Sequence, residues 1–203
     1  MSIGFVVTTK KQVRTPGRPR KFDAEHAVAV AQRLFHAKGY DAVSIVDVTD
    51  TLDINPPSFY GAFGNKAGLY SRVLDRYAKT GAIPLTQLLR DDRTVAEALT
   101  DLLTEAARRY GEDEVCTGCL VIEGTRCNDQ QARQASNVFH RAAEDTIRRF
   151  IATRYPQDAG RLTDFVSTVT SGLSAKARQG HSVEQLLSSA HLAGLALAAL
   201  IKD

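Results

Sequence analysis

The chain has 203 residues, 43% of them hydrophobic and 24% charged, as is typical of a globular protein with one large domain or a small domain followed by a medium one. Residues 1–21 contain six Lys or Arg and no acidic residue, whereas the rest of the chain contains 20 basic and 23 acidic side chains. No apolar run reaches the roughly 18 residues of a membrane span, and the apolar patch at residues 3–7 is too short for a secretory signal. Three cysteines, an odd number, argue against a disulfide scaffold, so we expect a cytoplasmic protein.

Residues 1–21 are predicted to be a flexible basic arm. They are rich in Thr, Gly, Pro, Lys and Arg, and they lack apolar periodicity after Val7. Concentrated positive charge suits a polyanion, because each neutralised phosphate releases condensed counterions. A nucleic-acid-binding arm is therefore favoured, and the alternative is a disordered tail that only keeps the protein soluble.

Residues 22–65 are predicted to form a head of three helices. Apolar residues at helical spacing fill the first helix until Gly39, and Ser44 with Asp47 forms a capping box at the start of the second. A short turn at Asp53 then precedes a third helix, where Pro56 occupies the first position without costing a hydrogen bond. N-caps are expected at Asp23, Ser44, Asn55 and Asn65. This order of elements is that of a helix-turn-helix, which places its recognition helix in the DNA major groove.

Residues 66–203 are predicted to form a larger helical body. Capping boxes at Thr94–Glu97 and Ser182–Gln185 mark two helix starts, and a short helix is expected over residues 116–127. Further helices are expected over residues 129–155, 161–179 and 182–201. The first of these should bury Val138, Phe139, Ala142, Ala143, Ile147, Phe150 and Ile151. The predicted fold class is all-α, a three-helix helix-turn-helix DNA-binding head followed by a larger helical effector and dimerisation domain.

The head resembles the DNA-binding domain of the TetR/AcrR family of bacterial transcriptional regulators. The resemblance rests on A-x-x-L-F-x-x-x-G-Y in the first helix (residues 31–40) and on I-N-P-P-S-F-Y-x-x-F-x-N-K (residues 54–66), and it covers about residues 18–77. The second motif, which leads directly into a fourth helix, is more specific than a helix-turn-helix alone. The body matches only in length and helix count, as is usual in a family whose bodies differ with their ligands.

The resemblance implies a set of DNA contacts. Ser44 and Lys66, at helix starts, are expected to clamp the DNA backbone, and Tyr60 to donate its hydroxyl to a phosphate. Arg18 and Arg20 are expected to enter an A·T-rich minor groove. Base edges or thymine methyls would face Asn55, Pro56, Pro57, Ser58 and Gly61, with Phe59 and Phe63 in the core. For Ser44 and Ser58 the alternatives are simple capping and exposed polarity.

Three positions depart from the family pattern. Asp53 stands where glycine is usual in the turn, and it can adopt a left-handed conformation at modest cost. Gly61 replaces a frequent histidine, which removes one expected contact and lowers helix propensity by about 1 kcal/mol. Ala67 replaces the acidic residue that commonly follows the lysine. DNA binding is still expected, but base specificity does not follow from the family.

The body is expected to dimerise and to bind an effector, as in regulators that this chain resembles. The last two helices would pair with those of a second copy, with close approach at Ala190, Ala193, Gly194, Ala196 and Ala199. A two-fold dimer predicts an inverted-repeat operator. The alternative is that the last helix packs only inside its own chain. A small molecule that prefers the DNA-incompetent state would release the operator.

The three cysteines are candidate thiol sensors. Cys119, in Gly-Cys-Leu, resembles a cysteine that responds to electrophiles or oxidants in one branch of the family, and a helix start there would favour the thiolate. Cys116 and Cys127 lie close by in the sequence. An organic ligand without covalent chemistry and a simple buried role for the cysteines are the alternatives. A metal site is not predicted, because one C-x-x-C with a distant cysteine lacks the second pair of a structural zinc site, even if His140 joined it.

Two other functions compete with a regulator. An enzyme is disfavoured, because five scattered histidines show no catalytic arrangement, and phosphate-binding loops and cofactor motifs are absent from the sequence. A structural or protein-binding helical module without sequence-specific DNA binding is the stronger competitor. It predicts that the basic arm and Lys66 can be neutralised without loss of function, whereas a regulator predicts strongly salt-dependent DNA binding.

Overall fold

The computed structural model describes residues 23–201, and in this part of the chain every regular element is an α-helix. The helices are α1 (Ala24–Lys38), α2 (Ile45–Leu52), α3 (Pro56–Phe63), α4 (Lys66–Thr80), α5 (Leu85–Leu88), α6 (Val95–Glu112), α7 (Leu120–Gly124), α8 (Gln130–Ala152), α9 (Ala159–Arg178) and α10 (Val183–Leu200). The predicted all-α class is confirmed, with α1–α3 as a head and α5–α10 as a body.

Local capping explains where the helices of the head begin. The side chains of Asp23, Ser44, Asn55 and Asn65 each accept a hydrogen bond from a backbone N–H in the first turn of the following helix. Both reciprocal bonds of the capping box at Ser44 are present. All four N-caps predicted from the sequence are confirmed.

Helix α4 joins the head to the body, because it packs against α1 on one side and α8 on the other. Tyr70 makes this connection directly. Its ring lies edge-on to Phe35 and Tyr40 of the head, with centroid distances of 5.2 and 4.9 Å, and its hydroxyl donates to the carbonyl of Leu120 in the body. Burial raises the pKa of Tyr70 to about 12, so the phenol stays neutral and keeps this donor.

Helix α6 is the centre of the body and packs against α5, α9 and α10. Gly194 allows α10 to approach closely, since a Cβ atom there would lie 2.6 Å from Cγ2 of Thr100 on α6. Ala190 and Gly194 are therefore buried inside their own chain, which corrects the expectation that they face a second copy. The opposite face of α10 exposes Leu192 and Leu195, which are 64% and 55% accessible.

Other expectations about the body were wrong in detail. Helix α5 was not predicted, because a four-residue helix without a side-chain cap leaves little periodic signal. The helix expected over residues 116–127 is confined to Leu120–Gly124. On α8, Ile147, Phe150 and Ile151 are buried as expected, but Val138 is 67% exposed because it lies on the side away from the packed neighbours. Ala142 is also exposed on that helix.

Helix α10 has the length and composition of a membrane span, with 18 residues and a mean hydropathy of 1.3. Length and composition alone are weak evidence for a span. Leu186, Ala190 and Leu197 are buried against the rest of the chain, but 28% of the helix in all is buried. Its exposed apolar face is the feature that the packing within one chain leaves unexplained.

Candidate DNA-binding surface and effector cavity

Helix α3 exposes its N-terminal half to solvent, while two aromatic side chains on its other side are buried in the core. Phe59 and Phe63 are buried as predicted, with ring centroids 5.5 Å apart. Around them, Asn55, Pro56, Pro57, Tyr60 and Gly61 are exposed and Ser58 is half-buried. The residues predicted to face DNA thus share one accessible surface, and the first turn of α3 has no acidic residue to repel phosphates.

The turn before α3 has the geometry that a helix-turn-helix requires. Asp53 adopts the left-handed conformation with φ 51° and ψ 48°, as expected of an aspartate in a glycine position. Two backbone hydrogen bonds close this turn: the N–H of Asp53 donates to the carbonyl of Asp50, and that of Ile54 donates to Thr49. The departure from the family's glycine therefore leaves the turn intact.

Ser44 is engaged at the start of α2. Its hydroxyl donates to Oδ2 of Asp47 at 2.6 Å and accepts from the backbone N–H of Asp47 at 3.0 Å. The bonds from Ser44 also lower the pKa of the Asp47 carboxyl, which therefore stays charged. The capping role of Ser44 is shown by this geometry, and a phosphate contact by the same residue stays a prediction.

The ammonium of Lys66 has partners inside the protein. Its Nζ donates to the carbonyls of Tyr40 at 2.9 Å and Val43 at 2.8 Å, and it lies 4.0 Å from the centroid of the Tyr40 ring. Lys66 therefore ties the start of α4 to the turn that precedes Ser44. The predicted clamp on DNA stays a prediction, and what the geometry adds is a positioning role that the sequence did not indicate.

The predicted minor-groove residues, Arg18 and Arg20, lie outside the described residues. The basic arm of residues 1–21 likewise falls outside them.

The body contains a cavity of about 410 Å³ lined by α4, α6, α7, α8, α9 and the segment of residues 82–86, and the cavity is partly open to solvent. Most of its walls are apolar, with Leu102, Ile122, Phe139 and Ile147 among the lining residues. This volume falls within the range of about 300–1,000 Å³ that is usual for small-molecule sites. The cavity is therefore the candidate effector site.

Two groups of polar side chains project into this effector cavity. On one side, the hydroxyl of Tyr77 lies 3.7 Å from Sγ of Cys119, and Tyr110 also interacts with this thiol. Burial, followed by the proximity of Cys119, raises the pKa of both tyrosines well above the ordinary value, so both remain neutral donors. On the other side lie Glu144 and His140 of α8.

The structure distinguishes the three cysteines, all of which are buried and free. Burial raises the pKa of both Cys116 and Cys127, and nearby carboxylates raise each of them further. These shifts disfavour the reactive thiolate at both positions. Cys119 differs in lining the effector cavity and in capping α7, although its side chain makes no capping hydrogen bond. Cys119, Cys116 and Cys127 all stay predicted thiol sensors, and Cys119 is the one of the three that lines the effector cavity.

Polar contacts between head and body flank α7, and none of them was apparent from the sequence. Nε2 of His36 donates to the carbonyl of Gly118 at 3.0 Å, just before α7. Beyond α7, the carboxylate of Asp41 accepts from the backbone N–H of Asn128 at 2.9 Å. These contacts join residues more than 80 positions apart, so no local pattern in the sequence could predict them. They connect one wall of the effector cavity to the last turn of α1 and to the turn that follows α1.

Between residues 23 and 201, no group of three or more His, Cys, Asp or Glu side chains is arranged to hold a metal ion. Cys116, Cys119 and Cys127 accordingly have no metal-binding geometry with His140.

The comparisons with known proteins agree with this geometry. Residues 27–73 match the model of the bacterial regulatory proteins, tetR family. The chain is 56% identical to the HTH-type transcriptional repressor BdcR of Escherichia coli K12, covering 97% of this chain and 100% of that protein. It is 29% identical to the repressor ComR of the same organism, over 86% of this chain and 88% of the relative.

Solved structures give the same result. The regulator CifR, determined as a cysteine mutant with 26-bp double-strand operator DNA, is 28% identical with a TM-score of 0.79, covering 88% of this chain and 99% of that chain. The reduced form of NemR from E. coli has a TM-score of 0.69 over 88% of this chain and 97% of its own; at 15% identity it supports the fold alone.

Proposed function

This chain belongs to the TetR family and is a DNA-binding transcriptional regulator, and from that premise we propose that it represses transcription from an inverted-repeat operator until an effector releases it. The observation that carries the proposal is the exposed N-terminal half of α3, fixed on buried Phe59 and Phe63, in a chain 56% identical to a curated repressor. A purely structural or protein-binding module would leave this surface and the basic arm without a role.

The DNA contacts follow from the position of each residue on α3. The helix start carries partial positive charge, so Asn55, Pro56, Pro57 and Ser58 at this end would approach the major groove, with Gly61 one turn further on. Tyr60 is 50% exposed, and its hydroxyl would donate to a phosphate. Ser44 and Lys66 would hold the backbone at the neighbouring helix starts, while Arg18 and Arg20 would enter the minor groove.

We divide the chain into a basic arm (residues 1–21), a DNA-binding head (residues 22–65) and an effector and dimerisation body (residues 66–203). The boundary is placed before Lys66 because α4 begins there. This helix packs on both the head and the body and would carry changes from one to the other. As a regulator that meets the bacterial chromosome, the protein would work in the cytoplasm.

The partner in the repressor is a second copy of the chain, paired through α9 and α10. Exposed Leu192 and Leu195 support this pairing, because a continuous apolar face is costly in water unless a partner covers it. A two-fold pair would place the two α3 helices about 34–36 Å apart, one turn of DNA, and so requires an inverted repeat.

The effector would act from the effector cavity. A molecule that fits the cavity only in the DNA-incompetent conformation shifts the population toward that state and releases the operator. A thiol-reactive effector would act at Cys119, whose sulfur lines the cavity beside Tyr77.

Titration of the purified protein against DNA from the region upstream of its own gene, at two salt concentrations, tests the regulator. We expect a footprint on an inverted repeat and an affinity that falls steeply with salt. Tyr60→Phe should weaken binding roughly ten- to hundredfold without changing thermal stability, because a hydrogen bond to a charged group contributes about 1.5–3 kcal/mol. Binding that does not distinguish this DNA from scrambled DNA would favour the protein-binding module.

Treatment of the repressor–operator complex with diamide and glutathione, which together form a mixed disulfide on a reactive cysteine, followed by reduction with dithiothreitol, tests the thiol route. If Cys119 is the sensor, diamide releases the DNA reversibly, Cys119→Ser abolishes the response, and the matched variants Cys116→Ser and Cys127→Ser retain it. Unchanged DNA binding in oxidised wild-type protein would return the cysteines to a purely structural role and leave a non-covalent ligand as the effector.

A further inference from the structure

The charge of the effector cavity is one-sided. Its lining residues include one carboxylate, Glu144, and no lysine or arginine. The other ionisable groups in the walls are His140, Cys119 and two tyrosines, and the tyrosines are held neutral by burial. A bound anion would therefore meet a carboxylate without a lysine or arginine to balance it.

Glu144 is held in place by its neighbours. Oγ of Ser167 on α9 donates to Oε1 of Glu144 at 2.6 Å, and Nδ1 of His140, one turn earlier on α8, lies 3.5 Å from the same oxygen. Both contacts involve Oε1, and the structure gives Oε2 no hydrogen bond among the described residues. The side chain is 32% exposed and lies at the edge of an otherwise apolar space.

We propose that the effector cavity binds an organic monocation, with an ammonium or amidinium group on Oε2 of Glu144 and an apolar body against Ile122, Phe139 and Ile147. A charge-assisted hydrogen bond to a carboxylate is among the strongest that a small site offers, and the apolar walls take up the hydrocarbon part. An anionic ligand loses its hydration and gains no partner, and a neutral one lacks the charge interaction.

This inference deepens the proposed effector site and rests on it. Three probes of equal chain length separate charge from hydrophobicity: n-octylammonium, n-octanol and n-octanoate, each titrated calorimetrically into the full-length protein at pH 8, where histidine side chains are ordinarily neutral. We expect octylammonium to bind at least about tenfold more tightly than octanol, and octanoate to bind most weakly.

Two matched variants locate the selectivity. Glu144→Gln keeps an oxygen for Ser167 but removes the charge, and it should bring octylammonium to the affinity of octanol. Asp145→Asn removes a carboxylate from the next, exposed position, outside the cavity lining, and it should preserve the selectivity. Octanoate binding as tightly as octylammonium, an unchanged preference in Glu144→Gln, or no binding of any probe would overturn the inference.

The operator titration keeps the two proposals separable. A protein that binds its operator but shows no preference for the cation contradicts the organic-cation inference alone. A protein that prefers the cation through Glu144 but binds no operator contradicts the repressor and leaves the ligand site established. Release of the operator by octylammonium in the wild type, but not in Glu144→Gln, supports both.

Discussion

Replacing Lys66 with methionine tests the positioning role that the structure gives to this lysine. Methionine keeps much of the aliphatic stem but loses the hydrogen bonds to the carbonyls of Tyr40 and Val43 and the contact with the Tyr40 ring. Each bond from a charged donor contributes about 1.5–3 kcal/mol and the ring contact about 0.5–1 kcal/mol, with the lower values apt for a half-buried side chain. We expect the free energy of unfolding to fall by about 3–4 kcal/mol.

Urea unfolding followed by circular dichroism measures this loss, and Lys79→Met is the matched control because Lys79 lies exposed near the end of the same helix. A loss below about 0.5 kcal/mol, as is usual for a surface substitution, would refute the positioning role.

The salt dependence of operator binding separates the two functions of Lys66. We expect Lys66→Met to lower the logarithmic slope of operator affinity against salt by about 0.9, because one phosphate contact is lost; an unchanged slope would confine Lys66 to its positioning role.

Three further predictions concern the connection of head and body and the dimer. Gly124→Ala should destabilise the fold by about 1–3 kcal/mol in urea unfolding, because a Cβ atom there would overlap the hydroxyls of Ser136 and Tyr70; an unchanged midpoint would contradict this packing. Burial lowers the pKa of His36 below 6.5, so the unfolded chain binds more protons than the folded chain, and Tm should fall as the pH drops from 7.5 to 5.5. His36→Gln should reduce this fall in Tm, and an equal fall in the variant would contradict the role of His36. Leu195→Glu should yield a monomer in analytical ultracentrifugation with weakened operator binding, whereas an intact dimer would place the interface elsewhere.

The helix starts were predictable because the information is local. An N-cap needs a side chain and a backbone N–H within three residues, as at Ser44, Asn55 and Thr94, and each of these caps forms as expected. The turn at Asp53 follows the same logic, since its left-handed conformation is set by that one residue and its neighbours. The exposed surface of α3 that we expect to face DNA was therefore predictable almost entirely from the sequence.

The faces of the body helices were less predictable, because burial depends on where distant elements pack. Val138 is as apolar as its buried neighbours on α8, yet it points away from α4, α7 and α9. The small residues of α10 suited close approach to any helix, and it is the position of Thr100 on α6 that buries Gly194 within the chain. Periodicity identifies an apolar stripe but not the partner that covers it.

The position of α7 explains how filling the effector cavity would reach the DNA-binding head. Val121 and Ile122 form part of the cavity wall, and the segments on either side of α7 are tied to the head through His36 and Asp41. A five-residue helix has few internal hydrogen bonds to resist displacement, so a ligand that pushes on this wall moves its anchor points as well. The neutral His36 bond contributes about 0.5–1.5 kcal/mol and the bond to the Asp41 carboxylate about 1.5–3 kcal/mol, so altering these contacts changes the preference between head positions by a few kcal/mol. This is the size of the coupling, about 1–3 kcal/mol, that is typical of allosteric proteins, so under the proposed mechanism a weak effector interaction would suffice to release the operator.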